Sequence, residues 1–426
     1  MKSNVILKRL RQTGLALVLG GSLTLGLAVA TPVTAELQVR RTWHFAEGEV
    51  WFSNEFSGAR LNECVPLGPD DFSLLIAPEN RPINPSPWYA FQVWSSRART
   101  IRVQVTPTCE GRIRCGYLSD DGKNWRPLDR KFYTNDAVTR VATMELQIGP
   151  KPLWVAAQEM IGVRELEAWT DAKARLRFAR EGVIARSIEG RPIRQVTFSE
   201  TTNANYVFII ARQHPPEVTG TLGMLTFVDT VTGSSRLARE FRRQFQTVVV
   251  PLVNPDGVEH GQWRSNLGAK DLNRDWREFG QPETRQVSDY LRQIGQAPGA
   301  RVFLFLDFHS TRTNIFYTQA DDVPMRPAAF PGRWRDAIHA RQPGLWFERD
   351  NDHNSGQATA KAWAHETFGI PTITYEYGYG AERPAIHRSA RIAAEEMMRL
   401  LLAELKNPFS LPVADHHTPG RAGKAE

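Results

Sequence analysis

Four short polar stretches in the second half of the chain restrict its fold more than any other feature of the sequence. They contain His214, Asp271, His309 and Glu376. Short β-branched or aromatic runs lie in the same part of the chain, at residues 206–211, 247–253, 301–306 and 373–375. Such runs, bounded by turn residues and separated by helical segments, are typical of buried parallel strands. Because ligands of these sheets bind at the carboxyl ends of the strands, we expect the four stretches to lie close together.

The types and spacing of three residues in these stretches predict a metal site. His214 and Glu217 are three positions apart, and His309 adds a second imidazole. The two prolines between the first pair suit the first turn of a helix, so Glu217 should open a helix that continues to about Thr232. Two histidines and one carboxylate, with a fourth position left open, are the ligands of catalytic rather than structural zinc. The sequence therefore predicts one zinc ion held by His214, Glu217 and His309.

Further side chains are suited to the hydrolysis of an amide bond. Glu376 could accept the proton of a metal-bound water and later pass it to the leaving amine. Arg264 could stabilise the oxyanion that forms when a carbonyl becomes tetrahedral. Asn273 and Arg274 could hold a carboxylate of the substrate.

The order of these motifs resembles that of the zinc metallocarboxypeptidases. The motifs are Ser187-Ile-Glu-Gly-Arg-Pro-Ile193, His214-x-x-Glu217, Asn254-Pro-Asp-Gly257, Arg264-x-Asn266, Asp271-Leu-Asn-Arg274, His309 and Glu376. Each motif alone is short, and the ordered set carries the resemblance. It implies zinc on the three predicted ligands, Glu376 as general base and acid, and Arg264 at the oxyanion. It also implies that Asn273 and Arg274 bind the terminal carboxylate of a peptide, and that Asp271 orients the His214 ring.

The chain departs from the family pattern at one position. Family members usually carry a mobile tyrosine shortly before the catalytic glutamate, whereas this chain has no tyrosine between Tyr317 and Tyr375. Tyr377 and Tyr379 are the neighbouring tyrosines that could replace it. The resemblance therefore leaves open how the substrate is enclosed.

The resemblance also suggests a residue that sets specificity. In the family, the floor of the specificity pocket lies a short distance before the catalytic glutamate, and an ungapped count reaches Lys361. Small residues surround it, at positions 356–365. A lysine in such a pocket would favour an acidic C-terminal residue, or the side-chain carboxylate of a cell-wall diamino acid. Alternatively, Lys361 faces solvent on its helix.

The first 35 residues predict a signal peptide. Its head is positively charged, residues 15–30 are apolar and glycine-rich, and residues 33–35 are small. This apolar run is short for a membrane span. Removal of four positive charges with this segment lowers the formal net charge from +7 to about +3. We therefore expect a periplasmic or secreted protein without a stable membrane span, and without a nucleic-acid partner, because no lysine-rich stripe with interleaved aromatic residues is present.

The remaining chain divides into three segments. In residues 36–155, the stretches 88–93 and 101–105 alternate apolar and polar side chains between segments rich in turn residues, which predicts an all-β domain. This region resembles the β-sandwich that precedes the catalytic domain in cytosolic-type carboxypeptidases. Residues 156–406 predict an α/β catalytic domain with a mixed, largely parallel sheet flanked by helices, among them helices near 164–181 and 382–406. Residues 407–426, rich in proline, glycine, histidine and charge, predict a disordered tail.

Three cysteines precede residue 120, namely Cys64, Cys109 and Cys115. In an oxidising compartment, one disulfide and one remaining thiol are expected. Cys109 with Cys115 is the preferred pair, and Cys64 with Cys109 is the competing pair.

Three functions are compatible with these patterns. The first is an exported zinc exopeptidase that removes residues from peptide C-termini. The second is a zinc amidohydrolase that acts on cell-wall stem peptides or N-acyl amino acids, and the absent tyrosine keeps it open. The third is a catalytically idle binding protein, which the presence of the predicted ligands and of Glu376 disfavours.

Overall fold

The computed structural model describes residues 34–344 and 347–406 of the chain. Nearly all of the predicted signal peptide, and the whole of the predicted tail at residues 407–426, lie outside the described residues. The described residues form one compact unit. The predicted division between residues 155 and 156 stays a prediction.

Two β-sheets form the first part of this unit, because its short strands alternate buried and exposed side chains. One sheet has the strand order β1-β2-β5-β11-β7-β8, and the other has the order β3-β4-β6-β10-β9. Neighbouring strands are antiparallel, except for the parallel pair β4 and β6. The strands are β1 (Thr42–Phe45), β2 (Val50–Ser53), β3 (Glu63–Gly68), β4 (Asp71–Ile76), β5 (Ala90–Ser95), β6 (Arg99–Pro107), β7 (Tyr117–Ser119), β8 (Arg126–Pro127), β9 (Tyr133–Asn135), β10 (Ala142–Ile148) and β11 (Leu153–Ala156).

The two sheets share one core, as a sandwich requires. Phe52 of the first sheet packs with Phe72 of the second, with ring centroids 5.0 Å apart, and Phe91 packs with Phe52 in the same cluster. Trp263, from the second half of the chain, is buried in the same cluster. The predicted sandwich is therefore confirmed, and its core also takes in part of the α/β region.

A third, mixed sheet forms the centre of the second part. Its order is β12-β13-β15-β14-β16-β19-β17-β18. Within the described residues, the pairs β14–β15, β14–β16, β16–β19 and β17–β18 are parallel and the other three are antiparallel. The strands are β12 (Ala179–Arg186), β13 (Pro192–Phe198), β14 (Asn205–Ala211), β15 (Gln246–Val250), β16 (Arg301–Thr311), β17 (Ile315–Tyr317), β18 (Glu348–Asp350) and β19 (Thr372–Gly378).

Helices cover both faces of this sheet, which confirms the predicted α/β class. Successive residues of β14 point to opposite faces, so Val207 and Ile209 join one core while Phe208 and Ile210 join another. Helices α2, α3, α6 and α8 contribute to the first core, and α5 and α7 to the second. The helices are α1 (Val163–Ala174), α2 (Val218–Val231), α3 (Arg236–Arg242), α4 (Pro255–Glu259), α5 (Pro282–Gly295), α6 (Phe330–Arg341), α7 (Ala360–Phe368) and α8 (Arg383–Lys406).

Four of the predicted element bounds are wrong. Strands β16 and β19 run past their apolar parts to Thr311 and Gly378, because they pair with each other in parallel register up to these two residues. His309 and Glu376 therefore lie within strands rather than after them. Strand β15 ends at Val250, before the predicted 253. The helix predicted near 164–181 ends at Ala174, because the chain from residue 179 pairs with β13.

A glycine allows helix α2 to approach the strand that carries His309. A Cβ atom added to Gly220 would lie 2.2 Å from the carbonyl oxygen of His309, which is far inside a van der Waals contact. Ser310 Oγ accepts a hydrogen bond from the Gly220 N–H at 2.8 Å. The small residue thus sets the distance between α2, which follows Glu217, and β16.

All three cysteines are free thiols in the structure, so neither of the considered disulfides is formed. Cys64 is buried in β3, and the sulfurs of Cys109 and Cys115 lie near different carbonyl oxygens, those of Glu110 and Leu128. The side chains of Cys109 and Cys115 therefore contact different neighbours instead of each other. Among the described helices, none is both long enough and apolar enough to cross a bilayer.

Candidate metal centre and active site

Three predicted ligands converge at the carboxyl end of the third sheet. His214 follows β14, Glu217 directly precedes α2, and His309 lies in β16. The Glu217 carboxylate lies 2.8 Å from His214 Nδ1 and 2.7 Å from His309 Nδ1, and the two Nδ1 atoms are 3.2 Å apart. All three side chains are buried, and they form a group whose donor atoms could hold one metal ion. Two imidazole nitrogens and one carboxylate fit a zinc ion in both number and type.

Both imidazoles are oriented by a carboxylate on their far side. Asp271 Oδ1 lies 2.8 Å from His214 Nε2, and Asp307 Oδ2 lies 2.7 Å from His309 Nε2. When Nε2 carries the proton, each Nδ1 lone pair faces the common centre. The sequence predicted this orienting contact for Asp271 through the family resemblance, and the structure shows an equivalent contact for Asp307.

Charges around this group explain the direction of its pKa shifts. Burial alone would raise the pKa of Glu217, but the adjacent imidazoles of His214 and His309 outweigh it and hold the pKa below its usual range. Burial alone would lower the pKa of His309, but the carboxylates of Asp307 and Glu217 raise it well above the usual value. Without a metal these shifts favour an ionised Glu217, which is the form that binds a metal, and a protonated His309, whose proton a metal ion would displace.

The loop that carries His214 is held by Arg212, a buried arginine in the left-handed region with φ of 58°. Arg212 donates to the carbonyl oxygen of Pro215 at 2.8 Å and to Thr221 Oγ1 at 3.1 Å. Burial lowers the pKa of Arg212 to about 10. A strained, non-glycine residue beside a ligand persists only when its surroundings fix it, so we infer that these contacts hold the loop.

Arg264 lies beside the centre and is also bound by Asp271. Its Nε donates to Asp271 Oδ2 at 2.6 Å, while Asp271 Oδ1 contacts His214. Burial would raise the pKa of Asp271, but Arg264 and His214 hold it well below its usual range. One carboxylate thus fixes a predicted ligand and the predicted oxyanion residue, and the η nitrogens of Arg264 make no hydrogen bond within the described residues.

Asn273 and Arg274 lie on the same cavity, on a short 3-10 helix at Leu272–Arg274. Asn273 Oδ1 accepts from the Ala360 N–H at 2.9 Å, which leaves its amide as the donor toward the site. Arg274 Nη1 donates to the carbonyl oxygen of Asn273 at 2.8 Å. Burial lowers the pKa of Arg274, but the half-buried guanidinium still has donors for a carboxylate.

Glu376 lies directly opposite His309 in the adjacent strand β19. Its carboxylate is buried, and Oε2 has no hydrogen-bond partner among the described residues. Burial first, and then the negative charge of Glu217, raise the pKa of Glu376 to about 8. A divalent cation beside it would lower this pKa again. A buried carboxyl group with a raised pKa in a cavity has the properties of a general base and acid.

Lys361 lies in the cavity wall rather than in solvent. It is 6% exposed, and its Nζ donates to the carbonyl oxygens of Thr318 and His353 at 3.1 and 3.2 Å. Burial lowers its pKa to about 8, against the opposing charges of Asp350 and Asp352. Two of its three ammonium protons are used, so one remains for a further acceptor.

One cavity of about 520 Å³ is lined by many of these residues, namely His214, Glu217, Arg264, Asn273, Arg274, Lys361 and Glu376. Both parts of the chain line it, and the sandwich supplies Asn84, Pro85, Ser86, Pro87, Glu110, Gly111, Arg112 and Arg114. Sequence reasoning missed this wall, because no motif links these residues to the second half of the chain. It also missed Gln213, whose amide donates to Asp307 Oδ2 at 2.7 Å and accepts from Trp276 Nε1 at 2.7 Å. The sequence offered one indication that Gln213 belongs to the site, which is its position directly before His214.

The tyrosines that could replace the absent one differ in their surroundings. Tyr377 is buried, and its hydroxyl lies 2.9 Å from that of Tyr375 and 3.2 Å from Ser389 Oγ, so it belongs to the core. Tyr379 lines the cavity, with the Arg114 guanidinium 3.6 Å from its ring centroid. Tyr317 also lines it. Tyr379 and Tyr317 are thus the ones in reach of a ligand.

Known proteins are similar to this chain in sequence or in fold. Cytosolic carboxypeptidase 2 of Xenopus tropicalis is 29% identical over 305 residues, which are 63% of this chain and 31% of the relative. Cytosolic carboxypeptidase 6 of Caenorhabditis elegans is 26% identical over 169 residues, which are 37% of this chain and 36% of the relative. The chain thus spans about a third of the length of these two relatives. A metallo-carboxypeptidase from Burkholderia cenocepacia has a similar fold, with a TM-score of 0.69 at 20% identity, over 84% of this chain and 99% of that one.

The match to a family model covers the region that carries the site. The model described as zinc carboxypeptidase matches residues 166–382, which are just over half of the 426 residues. The matched range includes the His214, Glu217 and His309 group as well as Glu376. The chain therefore belongs to the zinc carboxypeptidases, a family of hydrolases that act on peptide bonds.

Proposed function

We propose that the protein is an exported zinc-dependent metallocarboxypeptidase that removes C-terminal residues from peptides. One observation supports this most directly: a single cavity is lined by His214 and Glu217, which form one donor group with His309, by Glu376 and by the Asn273–Arg274 pair. A metal group, a base and donors for a terminal carboxylate are the three parts that exopeptidase chemistry needs.

Each of these residues has a distinct role in the proposed reaction. Zinc at the three ligands would act as a Lewis acid and lower the pKa of its water. Glu376 accepts the proton of the attacking water and returns it to the leaving amine. Arg264 donates from its η nitrogens to the carbonyl oxygen as negative charge develops there. Asn273 and Arg274 bind the free C-terminal carboxylate, which excludes internal peptide bonds from the cavity.

The activity can be tested with a peptide library and mass spectrometry. We expect single residues to be lost from C-termini, and we expect C-terminally amidated versions of the same peptides to stay intact. Equal cleavage of free and amidated peptides would contradict the exopeptidase proposal and favour the amidohydrolase alternative. Purified protein that carries no stoichiometric zinc would support the catalytically idle binding protein.

Export of the protein is part of the proposal and is supported by the charged head, apolar run and small residues before residue 36. The two relatives named above are called cytosolic carboxypeptidases, so the export proposed for this chain differs from the cellular location that their names give. N-terminal sequencing of protein recovered from the producing cells tests it. We expect a chain that begins near residue 36, and a chain that still begins at Met1 would contradict it.

We further propose that the enzyme prefers an acidic C-terminal residue. Lys361 offers a buried ammonium group in the cavity wall, and Arg112 and Arg114 add cationic groups from the sandwich side. An ammonium–carboxylate hydrogen bond shielded from water contributes roughly 1 to 3 kcal/mol. A neutral amide in place of the carboxylate would lose most of this contribution.

Lys361→Ala is therefore expected to remove a preference for Glu over Gln. With wild-type protein near pH 6, we expect kcat/KM to be about 5- to 100-fold higher for a peptide ending in Glu than for one ending in Gln. Because the pKa of Lys361 is lowered to about 8, the ammonium is charged below that pH, and the preference should decline above it. Kinetics of both peptides with both proteins provide the measurement. Equal kcat/KM values in the wild type would show that Lys361 does not set specificity.

A further inference from the structure

A buried carboxylate from the sandwich binds the backbone that carries Arg264. Glu79 Oε1 accepts hydrogen bonds from the N–H groups of Arg264 and Ser265 at 2.9 and 2.6 Å. Its Oε2 accepts from the Trp263 N–H at 2.7 Å. The Glu79 side chain is fully buried. One side chain therefore satisfies three consecutive backbone donors, from a position 185 residues away from Arg264.

The segment that carries these donors also packs against the sandwich core. Trp263, which precedes Arg264, is buried in the core of the sandwich rather than in that of the third sheet. The backbone of Glu79 is itself held, since its carbonyl oxygen accepts from the Glu36 N–H at 2.7 Å. The segment at residues 263–265 is thus attached to the sandwich by one apolar ring and one carboxylate.

The charge of Glu79 needs compensation because the group is buried. Successive backbone N–H groups that point to one centre form an anion-binding nest, and hydrogen bonds to a charged acceptor are stronger than neutral ones. Arg60, which is also buried, places Nη2 3.9 Å from Glu79 Oε2. An apolar side chain at this position would fill the same space, but it would leave three backbone donors without partners.

Arg264 is consequently fixed from two sides. Glu79 holds its backbone, and Asp271 holds its side chain through Nε at 2.6 Å. We propose that Glu79 is a positioning residue for catalysis, which fixes the backbone so that the Arg264 guanidinium meets the developing oxyanion. The inference rests on the role proposed above for Arg264. Through Glu79, the sandwich region would contribute to catalysis by positioning an active-site residue.

This role predicts a loss in rate rather than in substrate affinity. Asn273, Arg274 and Lys361 hold the substrate from other segments, so KM should change little. A donor displaced by about 1 Å from a developing charge loses much of its transition-state stabilisation. For Glu79→Gln we therefore expect a kcat about 10- to 100-fold lower, with KM within about threefold and unchanged zinc content.

A double-mutant cycle with Arg264→Ala separates positioning from a general structural effect. If Glu79 acts through Arg264, Glu79→Gln should lower kcat by less than about threefold in the Arg264→Ala background. The matched control is Ser57→Ala, which removes a 2.6 Å contact between the sandwich region and Glu259 of α4 without touching the Arg264 segment. It should leave kcat unchanged. Where Glu79→Gln fails to fold, Glu79→Asp keeps the charge, and its kcat loss should likewise vanish in the Arg264→Ala background.

Three results would overturn the inference. They are an unchanged kcat in zinc-loaded Glu79→Gln protein, equal losses of kcat in the wild-type and Arg264→Ala backgrounds, and a loss of kcat that follows zinc content alone. A normal kcat in the Arg264→Ala single variant would instead contradict the role proposed for Arg264, and with it the reason for Glu79. If wild-type protein removed no C-terminal residues from peptides, this result would separately contradict the proposed function.

Discussion

Replacement of Glu376 by glutamine is expected to lower kcat by about 10²- to 10⁴-fold while the fold and the zinc content stay unchanged. Glutamine has nearly the same shape as glutamate, but it cannot accept a proton from water at neutral pH. The position tolerates the change, since Glu376 Oε2 has no hydrogen-bond partner within the described residues and the pKa of the carboxyl is raised to about 8 by burial. The neutral side chain should therefore be at least as easy to bury as the carboxylate.

Single-turnover kinetics on a cleavable peptide, with zinc measured by mass spectrometry on the same sample, test this expectation. Thr374→Ser is a suitable control, because residue 374 lies two positions earlier in β19 and also lines the cavity. It should retain most of the activity. Turnover of Glu376→Gln at the wild-type rate would exclude Glu376 as the base.

Replacement of His214 by alanine is expected to abolish zinc binding and activity together. The variant removes one of three donors and leaves Glu217 with His309 alone, 2.7 Å from its Nδ1. It also leaves Asp271 without its contact to an imidazole, although Arg264 still binds the other oxygen. Two protein ligands bind zinc far more weakly than the three ligands of a catalytic site.

Metal stoichiometry after dialysis, together with circular dichroism, provides the measurement. His44→Ala is the matched control, because His44 is exposed in β1 and stacks on Trp51 at 4.6 Å, away from the cavity. The control should keep both zinc and activity. Full metal occupancy in His214→Ala protein would show that the ion is held elsewhere.

The sequence was most informative where a function depends on a local pattern. His214 and Glu217 share one turn, and the apolar runs before them could be read as buried strands without reference to any partner. The alternation at residues 101–105 similarly predicted a strand of the sandwich. Both fold classes followed from such runs and were confirmed. The order of the later motifs then placed His309 and Glu376 at the same sheet edge.

Features that depend on distant contacts could not be predicted in this way. The polar residues after Leu306 resemble a loop, and only the pairing of β16 with β19 shows that the strand continues to Thr311. The orienting role of Asp307 depends on its contact with His309 Nε2, which the sequence alone does not show. Glu79 carried no signal at all, because its three donors lie in a segment 184 to 186 residues away. The ungapped count correctly identified Lys361 as a residue of the cavity wall. The role of Lys361 in specificity stays a prediction.

The parallel register of β16 and β19 has a consequence for how this site could change over time. His309 and Glu376 are paired across adjacent strands, so their separation follows from the spacing of about 4.8 Å between strands rather than from any loop. Loops around the cavity can therefore lengthen, shorten or exchange residues without moving the base relative to the ligand. A slip of one residue, in contrast, would turn Tyr375 or Tyr377 toward the position of Glu376. The distance between the base and His309 is thus set by the sheet, whereas His214 and Glu217 depend on the segment between β14 and α2.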